Sequence, residues 1–419
     1  MNRSLFAFVV AVALTACAAE VVPGDAGPLD AGSGRDAQRP DGGPVYVAPY
    51  DGSHRTDGGP IMPIDPGPCE TWGIADEGEP ITGLVAGEWR WVDFPGAHCM
   101  NGSSTGIGIN LSPTGDSRVV IYLEGGGACF DPVTCSGVAN RRRGFDGERF
   151  SGVTDVLGYY PIFRRDETAN PTRDWTQVYV PYCTGDVHAG TNPEGYDLPD
   201  DDLGPLEQVG YLNVTEYLRR LAPTFRGAEQ VLLTGSSAGG FGALANYDQV
   251  AQAFGCSDVM LLDDAGPVVD DPFMRPCLQA RTREMWRFHV PPDCPQCTSE
   301  DGGGFVALWG YLATKYPDRR FGLLSALEDG TIRSFFSFGL SEGCDSLGSM
   351  PGELYAEGLV DLRDRWHAPY PNIHTWYVEG AQHTFLPVSL RRPVVAGIHA
   401  GEFMRLLVED DPAWSNVGP

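Results

Sequence analysis

From residue 69 onward the chain alternates short apolar runs with longer amphipathic stretches. The apolar runs lie at 119–123, 178–181, 231–233, 259–262, 321–324 and 375–378, each bounded by Gly, Asp or Ser. That is the pattern of strands buried on both faces. Between two of them Val214, Tyr217, Leu218 and Leu221 form an i, i+3, i+4, i+7 stripe, with Asn213 ahead of it and Glu216 three residues on, which reads as a capping box. A further helix is expected over 241–250, and a last one opening near Pro393 and carrying Val395, Ile398, Leu406 and Leu407. Continuous apolar strands separated by helices predict an α/β fold, specifically an α/β-hydrolase-like, mostly parallel sheet with helices on both faces. The stretches 130–175 and 265–320, rich in Cys, Pro and Gly, are expected to form irregular, disulfide-bearing cap loops over the strand ends, where α/β sheets bind ligands.

The segment ahead of this pattern is different. Residues 18–68 are dominated by Gly, Pro, Asp and Ala, and Asp41-Gly42-Gly43-Pro44 recurs as Asp57-Gly58-Gly59-Pro60. So few apolar side chains cannot offset the entropy of ordering, and a linker is expected. Residues 1–17 read as an export signal. Arg3 precedes an apolar run from Leu5 to Ala13, too short to span a bilayer. The run ends in Leu14-Thr15-Ala16-Cys17, which resembles the lipobox of bacterial lipoproteins, whose cysteine carries the lipid. The expected organisation is a signal peptide over 1–17, a linker over 18–68 and one catalytic domain over 69–419. The expected location is the cell envelope, anchored to a membrane through Cys17, or the exterior.

Composition sharpens this picture in two respects. Besides Cys17 there are ten cysteines, Cys69, Cys99, Cys129, Cys135, Cys183, Cys256, Cys277, Cys294, Cys297 and Cys344. An even number in an exported chain predicts disulfides. Cys129 and Cys135 suit a local loop, and Cys294-Pro-Gln-Cys297, with no second Cys-x-x-Cys elsewhere, suits a bridge better than a zinc site. The 56 acidic side chains against 29 basic ones leave a net charge of -27, which excludes the basic footprint that nucleic acid requires. It also fits poorly with a polyanionic ligand.

The chemistry concentrates in Val231-Leu232-Leu233-Thr234-Gly235-Ser236-Ser237-Ala238-Gly239-Gly240-Phe241. A Gly-x-Ser-x-Gly between a buried strand and a helix is the setting of a nucleophile elbow, with Ser237 central between the glycines. Upstream, the strand at 119–123 runs into Glu124-Gly125-Gly126-Gly127, where glycines let the backbone approach a reacting carbonyl. Gly126 and Gly127, with the amide of Ala238, are the expected oxyanion-hole donors. The base is expected after Ser237 in chain order. Among His289, His367, His374, His383 and His399, only His383 lies in a loop between the last strand and the last helix. Asp329, in the loop after the strand at 321–324, is the expected acid, with Asp263 and Asp264 as rivals. His188 precedes the serine and is expected to line or support the site.

These segments resemble the pectin acetylesterase/Notum family of serine esterases. The likeness lies in Cys99-Met100-Asn101-Gly102-Ser103, in Leu123-Glu124-Gly125-Gly126-Gly127-Ala128-Cys129-Phe130, and in the block from Tyr182 to Gly190. It continues in Gly235-Ser236-Ser237-Ala238-Gly239-Gly240 and in Asp264-Ala265-Gly266, and covers most of 90–410. The resemblance implies Ser237 as nucleophile, His383 as base, Asp329 as acid and Asp264 as a structural member of its turn. Members of the family remove acetyl from plant pectin or a fatty acyl group from a signalling protein. Two tryptophans of the animal deacylase correspond to Gly127 and His188 here, so those positions do not support a lipid tunnel.

The expected function is therefore an exported serine carboxylesterase acting on short-chain, chiefly acetyl, esters of a small molecule or glycan. No cofactor and no metal are implied, and a monomer is expected. Two alternatives stand beside it: a deacylase of lipids or proteins carrying longer chains, and a noncatalytic surface-binding lipoprotein.

Overall fold

Strands that are apolar at every position occupy the middle of the sheet, because only there are both faces covered. The computed structural model describes residues 64–138, 140, 142–197, 204–341, 343–344 and 347–419. The expected signal peptide, Cys17 and all of the linker before residue 64 lie outside them.

In chain order the strands are β1 (Trp89–His98), β2 (Ser104–Asn110), β3 (Val119–Leu123), β4 (Thr176–Val180), β5 (Asn192–Tyr196), β6 (Leu206–Gln208), β7 (Gln230–Ser236), β8 (Asp258–Asp264), β9 (Phe321–Ala326), β10 (Ile373–Val378), β11 (Val394–Val395) and β12 (Ile398–His399). The helices are α1 (Pro132–Ser136), α2 (Gly147–Leu157), α3 (Gly210–Thr224), α4 (Ala238–Phe254), α5 (Pro276–Trp286), α6 (Ala307–Lys315), α7 (Gly330–Phe336), α8 (Gly352–Asp361) and α9 (Ala400–Val408). Eight strands form one sheet in the order β1-β2-β4-β3-β7-β8-β9-β10. It is parallel from β4 to β10, and β2 runs antiparallel to both β1 and β4. This is the α/β-hydrolase-like sheet that the apolar runs predict. Every residue of β3, β4 and β9 is buried, whereas β1 at the edge alternates. The far edge is covered by the C-terminal tail: Tyr377 N–H donates to Val417 O, and Val417 N–H to Thr375 O, both at 2.8 Å. Such cover removes an open strand edge. Among the described residues no helix is long and apolar enough to cross a membrane.

All ten cysteines beyond Cys17 are bridged, as Cys69–Cys256, Cys99–Cys183, Cys129–Cys135, Cys277–Cys344 and Cys294–Cys297. The two cap stretches are less irregular than expected, since they carry α1, α2, α5 and α6. Two helix starts also differ. The stripe at Val214 belongs to α3, which begins at Gly210, so Asn213 is no cap. Its side chain instead accepts from His98 N–H at 2.9 Å and donates to His98 O at 2.7 Å, pinning α3 to the end of β1. The last helix starts at Ala400 rather than near Pro393. Gly397, with φ +84°, turns the chain so that 394–399 form the β11–β12 hairpin, and His399 becomes the N-cap, accepting from Glu402 N–H.

One buried cation holds the cap to α4. Lys315 on α6 reaches Asp248 on α4 at 2.9 Å, Asp293 in the cap at 3.0 Å and the Tyr311 hydroxyl at 2.7 Å. Lys315→Met leaves those two carboxylates without their cation. Because Asp293 is half exposed, the expected loss is about 1–3 kcal/mol rather than the larger cost of breaking a fully buried pair. Urea denaturation checks this, and an unchanged midpoint would refute it.

Candidate active site

The elbow follows from what its glycines allow. A Cβ on Gly239 would collide with Leu123 O, and one on Gly235 with Gly239 O and Leu123 O. Only without those side chains can α4 start against the end of β3. Ser237 between them takes φ +60° and ψ -123°, a conformation L residues rarely adopt. Its N–H donates to Asp264 O at 2.7 Å, which ties the strained turn to β8. Ser237 lies at the N-terminus of a 17-residue helix, whose first amides lack intrahelical acceptors and whose dipole favours negative charge there.

The loop after β3 approaches this elbow closely. A Cβ on Gly125 would collide with Ser236 O, and one on Gly126 would come within 2.8 Å of the Tyr182 ring. Gly127 has φ +88°. Among the described residues, the amides of Gly126 and Gly127 donate to no protein acceptor. With the Ala238 amide at the first position of α4, the three expected oxyanion donors thus come from two neighbouring turns.

The pairing of His383 with Asp329 follows from strand order. β9 and β10 are parallel neighbours, so the loops leaving their C-terminal ends run side by side. Leu327 N–H donates to Val378 O, Glu328 N–H to Gly380 O and Gly330 N–H to Ala381 O. This pairing presents His383 Nδ1 to Asp329 Oδ2 at 2.7 Å. Asp329 is fully buried, and its Oδ1 accepts from Thr331 N–H at 2.9 Å and Ile332 N–H at 3.0 Å as the N-cap of α7. The carboxylate is thus held at both oxygens, one of them on the imidazole.

Of the two rivals, neither carboxylate bonds to His383. Asp263 Oδ1 accepts from Gly266 N–H, closing the turn after β8. Asp264 acts as a clip that sequence reasoning reached only as a structural turn residue. Its carboxylate accepts the Ser236 hydroxyl at 2.6 Å, Phe385 N–H at 3.0 Å and Leu386 N–H at 2.9 Å. It therefore joins the residue before Ser237 to the residues after His383. Burial pushes its carboxyl up to about 6, against the downward pull of the Ser236 hydroxyl and those two amides. The remaining histidines sit elsewhere. His367 is buried against Trp309, His374 is half-buried against Trp414, and His289 stacks on Tyr211.

Sequence reasoning also missed the walls of the site. Ser237 opens onto a pocket with a cavity volume of about 70 Å³. Its walls include Phe130 and Phe241 near the elbow, Met274 and Trp286 from the cap, and Phe305 and Phe335 opposite. No charged side chain lines it. Thr282 and Trp286, its polar members besides Ser237, direct their donors to Gln279 O and Cys129 O instead of into the space. The apolar residues were visible in the cap segments, but nothing in their order shows that they converge.

Residues 91–291 match the family model described as Pectinacetylesterase. Over 244 residues the chain is 29% identical to palmitoleoyl-protein carboxylesterase NOTUM of Mus musculus, which covers 53% of this chain and 46% of that protein. Against the Homo sapiens protein of the same name the identity is 32% over 162 residues, 37% of this chain and 30% of that one. Against pectin acetylesterase 4 of Arabidopsis thaliana it is 30% over 155 residues, 36% of each. The chain spans less than half the length of each of these relatives. The matched stretch carries the β3 loop, the elbow and the Asp264 turn, and over it the chain is similar to the pectinacetylesterase/Notum family.

Proposed function

We propose that this chain is a serine carboxylesterase whose acyl substrates are apolar and longer than acetyl. In this reading Ser237 Oγ attacks the ester carbonyl while His383 takes its proton at Nε2. Asp329 holds the opposite ring nitrogen and stabilises the imidazolium. The amides of Gly126, Gly127 and Ala238 receive the developing oxyanion. His383 then returns its proton to the leaving alcohol, and water, activated by the same histidine, releases the acid. Every step uses the chain's own residues. Anchoring through Cys17 belongs to the same proposal and rests on Leu14-Thr15-Ala16-Cys17 alone.

The apolar pocket at Ser237 carries the choice of acyl group. Acetyl offers those walls a single methyl, whereas each further methylene buried there contributes about 0.8 kcal/mol. Of the activities named for relatives, the palmitoleoyl-protein carboxylesterase suits such walls better than the pectin acetylesterase. Aromatic side chains such as Phe130 and Phe335 thus supply apolar surface that Gly127 and His188 do not.

A panel of p-nitrophenyl esters of increasing chain length tests this. The expected kcat/KM rises about fourfold per methylene through the short and medium chains and then levels off. A maximum at acetyl would overturn the choice of acyl group and restore the short-chain reading. Folded protein with neither turnover nor fluorophosphonate labelling would favour a noncatalytic binding protein.

A further inference from the structure

One strained turn beside the site has no part in the scheme above. Val187 and His188 take φ of +49° and +57° in succession, in the left-handed region that β-branched residues avoid. Four hydrogen bonds hold them there. The Tyr182 hydroxyl accepts Val187 N–H at 2.9 Å, and Asp186 Oδ1 accepts His188 N–H at 3.1 Å. Asn246 on α4 donates to His188 O at 2.8 Å, and His188 Nε2 donates to Glu124 O at 2.8 Å. Strain maintained this thoroughly next to a reaction centre points to a task.

We propose that His188 and Tyr182 are positioning residues that set the oxyanion loop at its working distance from the nucleophile helix. This rests on the reading of Gly126 and Gly127 as oxyanion donors. The Tyr182 hydroxyl donates to Gly127 O at 2.8 Å, so together the two side chains fix the carbonyls of Glu124 and Gly127. Those carbonyls belong to the peptides on either side of the two whose N–H groups come from Gly126 and Gly127. Fixing both flanking planes leaves the intervening amides little freedom, because each peptide is rigid. The two rings pack together at 4.8 Å between centroids. The other side of the turn lies on α4, where a Cβ on Gly242 would come within 2.8 Å of both His188 Cβ and Val187 O. One turn therefore touches the helix that starts at Ser237 and the loop that faces it.

The ring must be a donor at Nε2, since a carbonyl can only accept. Burial pushes His188 down to about 4, so near neutral pH it is an uncharged imidazole with its proton on that nitrogen.

Steady-state kinetics on one p-nitrophenyl ester, with thermal midpoints for each variant, test the proposal on the full chain. His188→Ala is expected to lower kcat about 10–100-fold with KM within about twofold, because misplaced oxyanion donors weaken only the transition state. His188→Gln, which keeps a side-chain N–H donor, should recover most of that loss. Tyr182→Phe, which removes only a hydroxyl, should lower kcat about 5–20-fold with KM likewise unchanged, and it carries the test if His188→Ala does not fold. A kcat within about twofold of wild type in folded His188→Ala or in Tyr182→Phe would overturn the proposal. A loss that His188→Gln reproduces in full would also overturn it, since packing rather than the donor would then matter. Full turnover in Ser237→Ala would instead remove the esterase reading, and the proposal with it.

Discussion

Ser237→Ala is expected to lower kcat by about 10⁶, leaving only the residual acceleration that oxyanion donors and substrate binding supply without a nucleophile. The neighbouring hydroxyl offers no substitute. Ser236 is buried and donates to Asp264 Oδ2 at 2.6 Å, so it faces away from the role the alanine vacates. Initial rates on the preferred ester check this. Fluorophosphonate labelling followed by intact mass should show one adduct on the wild type and none on the variant. Turnover that survives the substitution would sink the mechanism.

The second large effect is expected to separate two aspartates in opposite ways. Asp329→Asn should lower kcat about 10⁴-fold, because an amide facing His383 Nδ1 favours the wrong tautomer and cannot stabilise the imidazolium. Its stability should change little, since a side-chain oxygen can still cap α7 through Thr331 and Ile332. Asp264→Asn should do the reverse. Three donors converge on that carboxylate, and an amide turned toward any of them leaves a buried donor unsatisfied, at a cost of about 2–4 kcal/mol. Its kcat per folded molecule should fall far less than that of Asp329→Asn. Measuring kcat and the urea midpoint of both variants decides between them, and an exchanged pattern would move the acid to Asp264.

The central sheet was legible because burial on both faces writes itself as uninterrupted apolar runs, of which β3, Val119–Leu123, is the plainest. β2, Ser104–Asn110, escaped notice although buried, because Thr105, Gly106, Gly108 and Asn110 break up its two isoleucines, and β1 escaped for the converse reason. Trp89–His98 mixes Arg90, Asp93 and Pro95 with its aromatics, as an edge strand exposed on one side does. Asn213 misled because a polar residue ahead of an apolar stripe reads as a cap, whereas its real partner is His98, far away in sequence. The neighbourhood of the site was legible wherever topology alone fixes it: Asp329 and His383 leave adjacent parallel strands, so their loops must run together. The pocket was not, because Phe130, Trp286, Phe305 and Phe335 come from separate segments whose convergence depends on cap packing. For His188 a place lining or supporting the site was legible but its partner was not, since a backbone carbonyl leaves no mark on residue type.

The Cys69–Cys256 bridge has a mechanical consequence. Traction applied anywhere N-terminal to Cys69 would, without it, pass along the chain to β1, an edge strand that can be unzipped one hydrogen bond at a time. The bridge offers a shorter route, from Cys69 straight to the link between α4 and β8 in the interior of the sheet. The force then enters beside an interior strand, β8, rather than at the edge of the sheet. It enters at the far end of α4, roughly 25 Å along the helix axis from Ser237 at about 1.5 Å per residue. A domain hauled by its leading end is thus loaded through α4 and β8 rather than through its edge strand.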